Sequence, residues 1–551
     1  MRSSRPFAIL AFAASLWMFA VVNQITVTAF AGSRAQSGGA ILSNLPTHDS
    51  AGYKSLLKAA GNPGGEALDM TKSEMWNVAP EHLDGLISAA AGLGVTVTRL
   101  DGTWNRALAP MQSIESMPAK QQQMMHATME SKSVMGMSMM ALPDPRVLEY
   151  ALTKGMSAAG NNAVSTPLVI PLNDTITITA RRISITKTSD GYVWHGAVAG
   201  SGEPVTLLWW ASGRLSGSIT YKGHIYSVRN IGGGMHGVVD MMPSGLPPEH
   251  APMDPGTMKK MNIKEDPFVH KGDASMMPDA GEQTPVAPSA PSKRDRSGSK
   301  ELEDAPLTKQ AYLAPAPAFE ISKHTRSARN QEPVVISVLV AYTKKAASYF
   351  GDLEKDLIAL AIEDANQSFR NSGINYVTLE LVHAYQTDYA EDGSHFEHVF
   401  RFADKDDGYM DDVHSLRERY RADVSILVVH DPNGCGLAAQ VAAPADRAFA
   451  VVHHECAATS YSLGHEIGHL IGARHDEALD DSKDPFPFGH GFVFGKKWRT
   501  MMSYKDSCDG CPRLPVWSNP DVKIQGVRAG TKTSNNARVI AEQAARVAAF
   551  R

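Results

Sequence analysis

Five residues within one short stretch have the types and spacing to hold a metal ion and work on water beside it. They lie in HEIGHLIGARHD, residues 465–476. His465 and His469 are four apart, so on an α-helix their imidazoles stand on one face, one turn from each other. Glu466, beside the first histidine, can reach a water on the metal but is poorly placed as a ligand. His475 comes six residues after His469. On a continuing helix it would be rotated roughly 240° away. Gly472 lies between them and tolerates the positive φ that ends a helix, so the spacing predicts a helix, a glycine stop and a third imidazole folding back. Three protein nitrogens leave the fourth position of a tetrahedral Zn²⁺ for water, the coordination of a catalytic site. A bare HExxH arises by accident on amphipathic helices; the extended spacing is far more specific.

The stretch resembles the zinc signature of the metzincin metallopeptidases. Asp476, directly after the third histidine, resembles the reprolysin (adamalysin) branch. The resemblance implies one zinc ion per catalytic domain on His465, His469 and His475, with Glu466 as general base in peptide hydrolysis by metal-activated water. It also implies a methionine in a tight turn beneath the metal. Met502, in the MMSY of residues 501–504, matches that position, with Met501 as the alternative one residue earlier. Tyr504, two after Met502, is similar to the tyrosine that approaches the metal in the astacin and serralysin branches, so Asp476 and Tyr504 point to different branches. Residues 449–453 resemble the edge strand that holds an extended substrate by main-chain hydrogen bonds. LPVWSNPDV, residues 514–522, resembles the wall of the primed-side pocket. His453 and His454 lack the HExxH geometry and read as one core and one surface histidine.

Behind these residues the pattern from 333 to 551 alternates buried-strand runs with helical ones. VVISVLVAYT, YVTLELVHAY, ADVSILVVHD and AFAVVHHEC read as strands. LEKDLIALAIEDANQSFRNSG, with Gly373 as its stop, DDVHSLRERY and the C-terminal NNARVIAEQAARVAAFR read as helices. The expectation is an α/β (α+β) catalytic domain, a mixed sheet with a zinc-binding helix, preceded by a β-rich domain. All four cysteines, Cys435, Cys456, Cys508 and Cys511, fall in this last part. Four cysteines allow three pairings, and Cys435–Cys456 with Cys508–Cys511 closes the shorter segments. A second zinc site on Cys508 and Cys511 is the weaker reading, because export favours oxidation.

The 551 residues exceed what one core needs. A net charge of −5 with 20% charged residues gives no reason to expect a nucleic acid or other polyanion as partner; the implied partners are protein or peptide substrates. Arg2 and Arg5, an apolar run over 7–22 and Ala29-Phe30-Ala31 read as a signal peptide, 1–31, implying a secreted, extracellular or periplasmic protein without stable membrane association after cleavage. Residues 32–165 form an N-terminal pro-region whose methionine-rich part, 111–140, reads as a flexible or helical segment, with a thioether site for a soft metal as the rarer alternative. From 166 to 248 strands alternate with glycine-bearing turns, and this β-rich part resembles the propeptide that precedes secreted reprolysin-like domains. Residues 249–332 read as a linker, with basic sites at 293–294 and 326–329 as candidates for cutting in maturation, between which the sequence does not choose. No cysteine precedes 435, so a latent precursor must be blocked sterically or by another ligand, such as a carboxylate. The expected function is a secreted zinc-dependent endopeptidase made as a zymogen-like precursor. A binding protein on an inactive protease scaffold competes poorly, because all three ligands and the glutamate are present. A metal-handling protein centred on the methionines is a third reading. The sequence assigns no calcium site.

Overall fold

The computed structural model describes residues 39–63, 65–68, 73–76, 78–100, 105–110, 115, 117–153, 167–249, 320–321 and 332–551. The predicted signal peptide, the basic sites at 293–294 and 326–329, and part of the methionine-rich stretch lie outside them. The chain divides into two units, Met1–Asn105 with Arg146–Thr153, and Arg106–Pro145 with Lys154–Arg551.

In the first unit, antiparallel strands Gly39–Ser43, Ser73–Trp76, Gly65–Leu68 and Thr96–Leu100 form a sheet. Helices Ala51–Ala59 and Pro80–Ala91 bury their apolar faces with it, around Leu42, Leu56, Trp76 and Leu86. Ser50 caps the first helix through its side chain, and Pro80 opens the second, where its missing N–H has no intrahelical partner to lose. Glu74 is buried but satisfied, accepting from Tyr53 Oη at 2.7 Å and Trp76 Nε1 at 2.8 Å.

The second unit is built on two large sheets, of nine and five strands, beside small ones of three and two strands. The larger has nine strands, all antiparallel, and the six from Thr177–Lys187 to Met235–Met241 form a meander in chain order. It reaches further back than the alternating pattern marks. Val134–Ala141 pairs along Met235–Met241, and Ala109–Pro110 pairs beyond it. The methionine-rich stretch is therefore built in. It forms helix Ala119–Met129 and strand Val134–Ala141, and Met117, Met125 and Met139 pack with Ile231. Unbranched thioethers fill an irregular gap between helix and sheet, so the helical alternative holds over Ala119–Met129 and a strand follows it.

The smaller sheet has the order Val377–Thr387, Val334–Thr343, Val424–Val429, Phe449–His453, Gly436–Ala438. The first four strands are parallel and Gly436–Ala438 is an antiparallel edge. This corrects the expectation for 449–453. Phe449–His453 is an interior strand with every residue buried, which is why it reads as an unbroken apolar run. The edge is the three-residue GLA segment, too short and too small to carry a strand pattern. Helix Ala359–Asn371 ends before Gly373 at φ 78°, and helix Ser462–Ile471 is buried along its whole length. Within the expected linker, Glu320–Ile321 pairs antiparallel with Asn519–Ile524.

The two large sheets of this unit share a core. Val193 and Leu208 of the larger sheet pack in the same cluster as Ile336, Leu357, Ala361 and Leu463. Polar groups lock the same face. Asp356 accepts from Arg214 at 3.0 Å and Ser216 at 2.7 Å, and His195 Nε2 lies 2.9 Å from Glu363 Oε1. Among the described residues no helix is long and apolar enough to cross a membrane.

Candidate active site

Helix Ser462–Ile471 carries His465 and His469, and Gly472 closes it at φ 132°. A Cβ there would also lie 2.6 Å from Phe486 Cε2, so only glycine lets the chain turn back at this point. The turn returns His475 to the helix. Its Nε2 lies 2.9 Å from His469 Nε2 and 3.3 Å from His465 Nε2.

The Nδ1 atoms of the two helix histidines are committed to carbonyls. His465 Nδ1 donates to Met501 O at 2.8 Å and His469 Nδ1 to Ala473 O at 2.9 Å. Those bonds put the proton on Nδ1 and leave the Nε2 lone pairs facing the common centre. Burial, then the charge of Arg513, holds His465 well below its ordinary pKa, so it is neutral. Lone pairs converging at this distance repel one another unless a cation lies among them, so the set fits a metal ion with imidazole ligands.

Glu466 is buried against the edge strand, close enough that a Cβ on Gly436 would meet its Oε1 at 2.3 Å. Burial pushes its carboxyl up to about 8, opposed by Arg513 and by a hydrogen bond from the Ala438 backbone. A divalent charge on the histidines would pull it down again. Met501 and Met502 are fully buried under the helix, the methyl of Met501 packing at Gly464 and the sulfur of Met502 at Gly468. Asp476 ties the third histidine to the turn that follows. Its Oδ2 accepts from Tyr504 N at 3.0 Å and its Oδ1 from Ser507 Oγ at 2.7 Å. The Tyr504 ring lies 4.2 Å from that of His475, and burial raises its hydroxyl well above the ordinary value, so it stays protonated.

Both cysteine pairs form disulfides, Cys435–Cys456 leading into the edge strand and Cys508–Cys511 following Tyr504. His454 departs from its expected surface position. It is buried, as is His453, and both lie with His430 in a second group whose ring nitrogens are within 4.8 Å of one another. Those rings stack on each other and on Tyr349, and His453 Nδ1 already accepts from Glu455 N at 3.1 Å, so they pack face to face.

Four site residues carry no signal in the sequence pattern. His490 donates from Nδ1 to His475 O at 3.0 Å and so braces the third histidine. Arg499 and Arg513 are buried beside the turn that holds Met502 and Tyr504, each donating to Ser503 O. Between them lies Glu249, from the end of the nine-stranded region. Arg499 Nη2 is 2.6 Å and Arg513 Nη2 3.0 Å from its Oε1, and Lys505 N donates to its Oε2 at 2.8 Å. Isolated arginines in WRT and CPR, and a glutamate in a proline-rich segment, share no periodicity that would link them.

Residues 332–518 match the metallo-peptidase family M12, of the reprolysin type. A peptidyl-Asp metalloendopeptidase of Xanthomonas campestris pv. campestris is 35% identical over 339 residues, covering 61% of this chain and 67% of that protein. One from Stenotrophomonas maltophilia strain R551-3 is 42% identical over 224 residues, 40% of this chain and 53% of its own length. One from Pseudomonas fragi is 32% identical over 190 residues, 34% of this chain and the whole of that protein. This chain belongs to the reprolysin-like metallopeptidases of family M12 and is a metalloendopeptidase.

Proposed function

We propose that this protein is a secreted zinc endopeptidase, made as a latent precursor, that cuts polypeptides next to acidic residues. The observation that carries the reading is the convergence of three buried Nε2 atoms beside a buried Glu466 that packs against the edge strand Gly436–Ala438. His465, His469 and His475 would hold the zinc. When bound, it supplies a Lewis acid that polarises a carbonyl and brings the pKa of water to about 7.

Glu466, steadied by the Ala438 backbone, takes the proton of the attacking water and passes it to the leaving amine nitrogen. The side of Gly436–Ala438 that has no strand neighbour pairs with the substrate main chain once the segment covering it is removed, which suits polypeptides of varied sequence. Met502 supports the ligands from below, Gly472 turns the chain to bring in His475, and Asp476 fixes the Met502–Tyr504 turn against that histidine. Tyr504, protonated and beside His475, is placed to donate a hydrogen bond to charge developing on the carbonyl oxygen. The three relatives are named for aspartate, and the acidic preference proposed for this chain extends that name to its class of side chain. Export is supported by the N-terminal segment and by two disulfides. The nine-stranded sheet acts as the propeptide, supported by its shared core with the peptidase sheet.

The test is digestion of a broad peptide library by the matured protein, with and without a zinc chelator, and sequencing of the products. Internal, chelator-sensitive cuts flanked by Asp or Glu are expected. Absence of any cleavage with zinc verified on the protein would overturn the proposal.

A further inference from the structure

Two arginines buried side by side need an explanation. Arg499 and Arg513 have side chains only 7% and 4% exposed, and both point at one carboxylate, itself 10% exposed. Burial, then the like charge of Arg513, pushes the Arg499 guanidinium down to about 10. Removing such charges from water is costly unless an anion with good hydrogen bonds compensates. Glu249 is that anion. Burial alone would raise its carboxyl, but Arg513, Arg499 and the Lys505 amide together hold it below the usual range. Arg513 Nε still lacks a hydrogen-bond partner, so one carboxylate does not exhaust the site.

The position of this pocket is what gives it meaning. Lys505 follows Tyr504, whose ring packs on His475, and Arg513 Nη1 also holds Ser460 O just before the histidine-bearing helix. The charge of Arg513 is felt at His465 and at Glu466. The segment that delivers Glu249 also touches the cleft. Pro248 O accepts from Cys435 N at 2.7 Å, one residue before the edge strand Gly436–Ala438. A peptide thus runs past the sheet edge by a main-chain hydrogen bond and drops an acidic side chain onto two arginines beside the catalytic centre.

We infer that Arg499 and Arg513 form the subsite that recognises the acidic side chain of a substrate, and that Glu249 fills it as a built-in substrate mimic in the uncleaved chain. This rests on the endopeptidase reading above and gives it a specificity determinant and a latency device. The forked guanidiniums match a planar carboxylate, and an uncharged amide of the same shape would leave both cations buried and unpaired. Of the two blocks open to a precursor with no cysteine before residue 435, steric or through another ligand such as a carboxylate, Glu249 supplies a carboxylate, and it acts on the arginines.

The test uses the full chain carrying Glu249→Ala, with acetyl-aspartyl-amide and acetyl-asparaginyl-amide as probes and thermal stability as the readout. The aspartyl probe is expected to raise the melting temperature, the asparaginyl probe to leave it unchanged, and the wild-type chain to respond to neither. Adding Arg513→Gln should abolish the response. Equal responses to both probes, or none, would overturn the inference. Should Glu249→Ala fail to fold, Glu249→Gln keeps the side-chain length and is read with two peptides differing only by Asp or Asn. It should cleave the Asp peptide on the order of 10²-fold faster and outpace the wild-type full chain; equal rates on the two peptides would overturn the inference. Probe binding requires neither metal nor turnover. A chain inactive on every peptide that still binds the aspartyl probe refutes the peptidase reading and leaves the pocket standing. Asp-selective cleavage that survives Arg513→Gln refutes the pocket alone.

Discussion

Glu466 and Gly436 are packed so closely that a methyl on the glycine would lie 2.3 Å from the glutamate's Oε1. The sheet edge and the proposed general base are therefore one mechanical unit. Gly436→Ala must displace the carboxylate, the strand or both. A shift of about 1 Å costs on the order of 10²-fold in rate. We expect that loss in kcat with metal content unchanged, measured by steady-state kinetics alongside elemental analysis.

Glu466→Gln separates proton transfer from metal binding. The isosteric amide fits the same space and cannot accept the proton, so the rate should fall about 10²–10⁴-fold with metal retained. His465→Ala should instead lose the metal, because the set is reduced to two imidazoles. Metal content measured on both variants checks the pair; a Glu466→Gln protein with near wild-type turnover would remove Glu466 from its role.

Acid should loosen the nine-stranded sheet from the peptidase. His195, against Glu363 and Arg370, is held below its ordinary 6.5, chiefly by burial. A lowered pKa means the contact is at full strength above 6.5 and weakens as pH falls from there through the bound value. Glu249 is also lowered, so its contribution is full above 4.5 and is lost as pH falls from there through its bound value. Protection factors in Gly191–Val198, with the intrinsic pH dependence of amide exchange divided out, should therefore fall in two steps on acidification, and His195→Gln should remove the upper one. Protection independent of pH would contradict this sign.

The Cys435–Cys456 bridge spans a sequence separation of 21 and packs with Leu246, Val239 and Met241. Replacing both cysteines by serine should lower stability by about 3 kcal/mol through the freed unfolded chain. The cost should appear in denaturant melts of the full chain. Because Cys435 N also holds Pro248 O, susceptibility of residues 246–249 to added protease should rise with it.

Much of this protein is written in local pattern. The spacing of His465, His469, Gly472 and His475 encodes a helix, a stop and a return, because helical periodicity and glycine's φ freedom act within a few residues. The same holds for strand Thr177–Lys187, whose alternation comes from the pleat, and for two cysteine pairs that close short loops. What only the tertiary structure decided depends on groups distant in the chain. The edge strand is Gly436–Ala438 and not Phe449–His453, because an edge is defined by missing neighbours, which no single strand encodes. Met117, Met125 and Met139 became core because a sheet strand closed over them, while Met129 and Met135 stay exposed. Glu249 met Arg499 and Arg513 because folding places the end of one sheet region against the turn below His475, and charge complementarity across such a separation leaves no periodic trace in sequence.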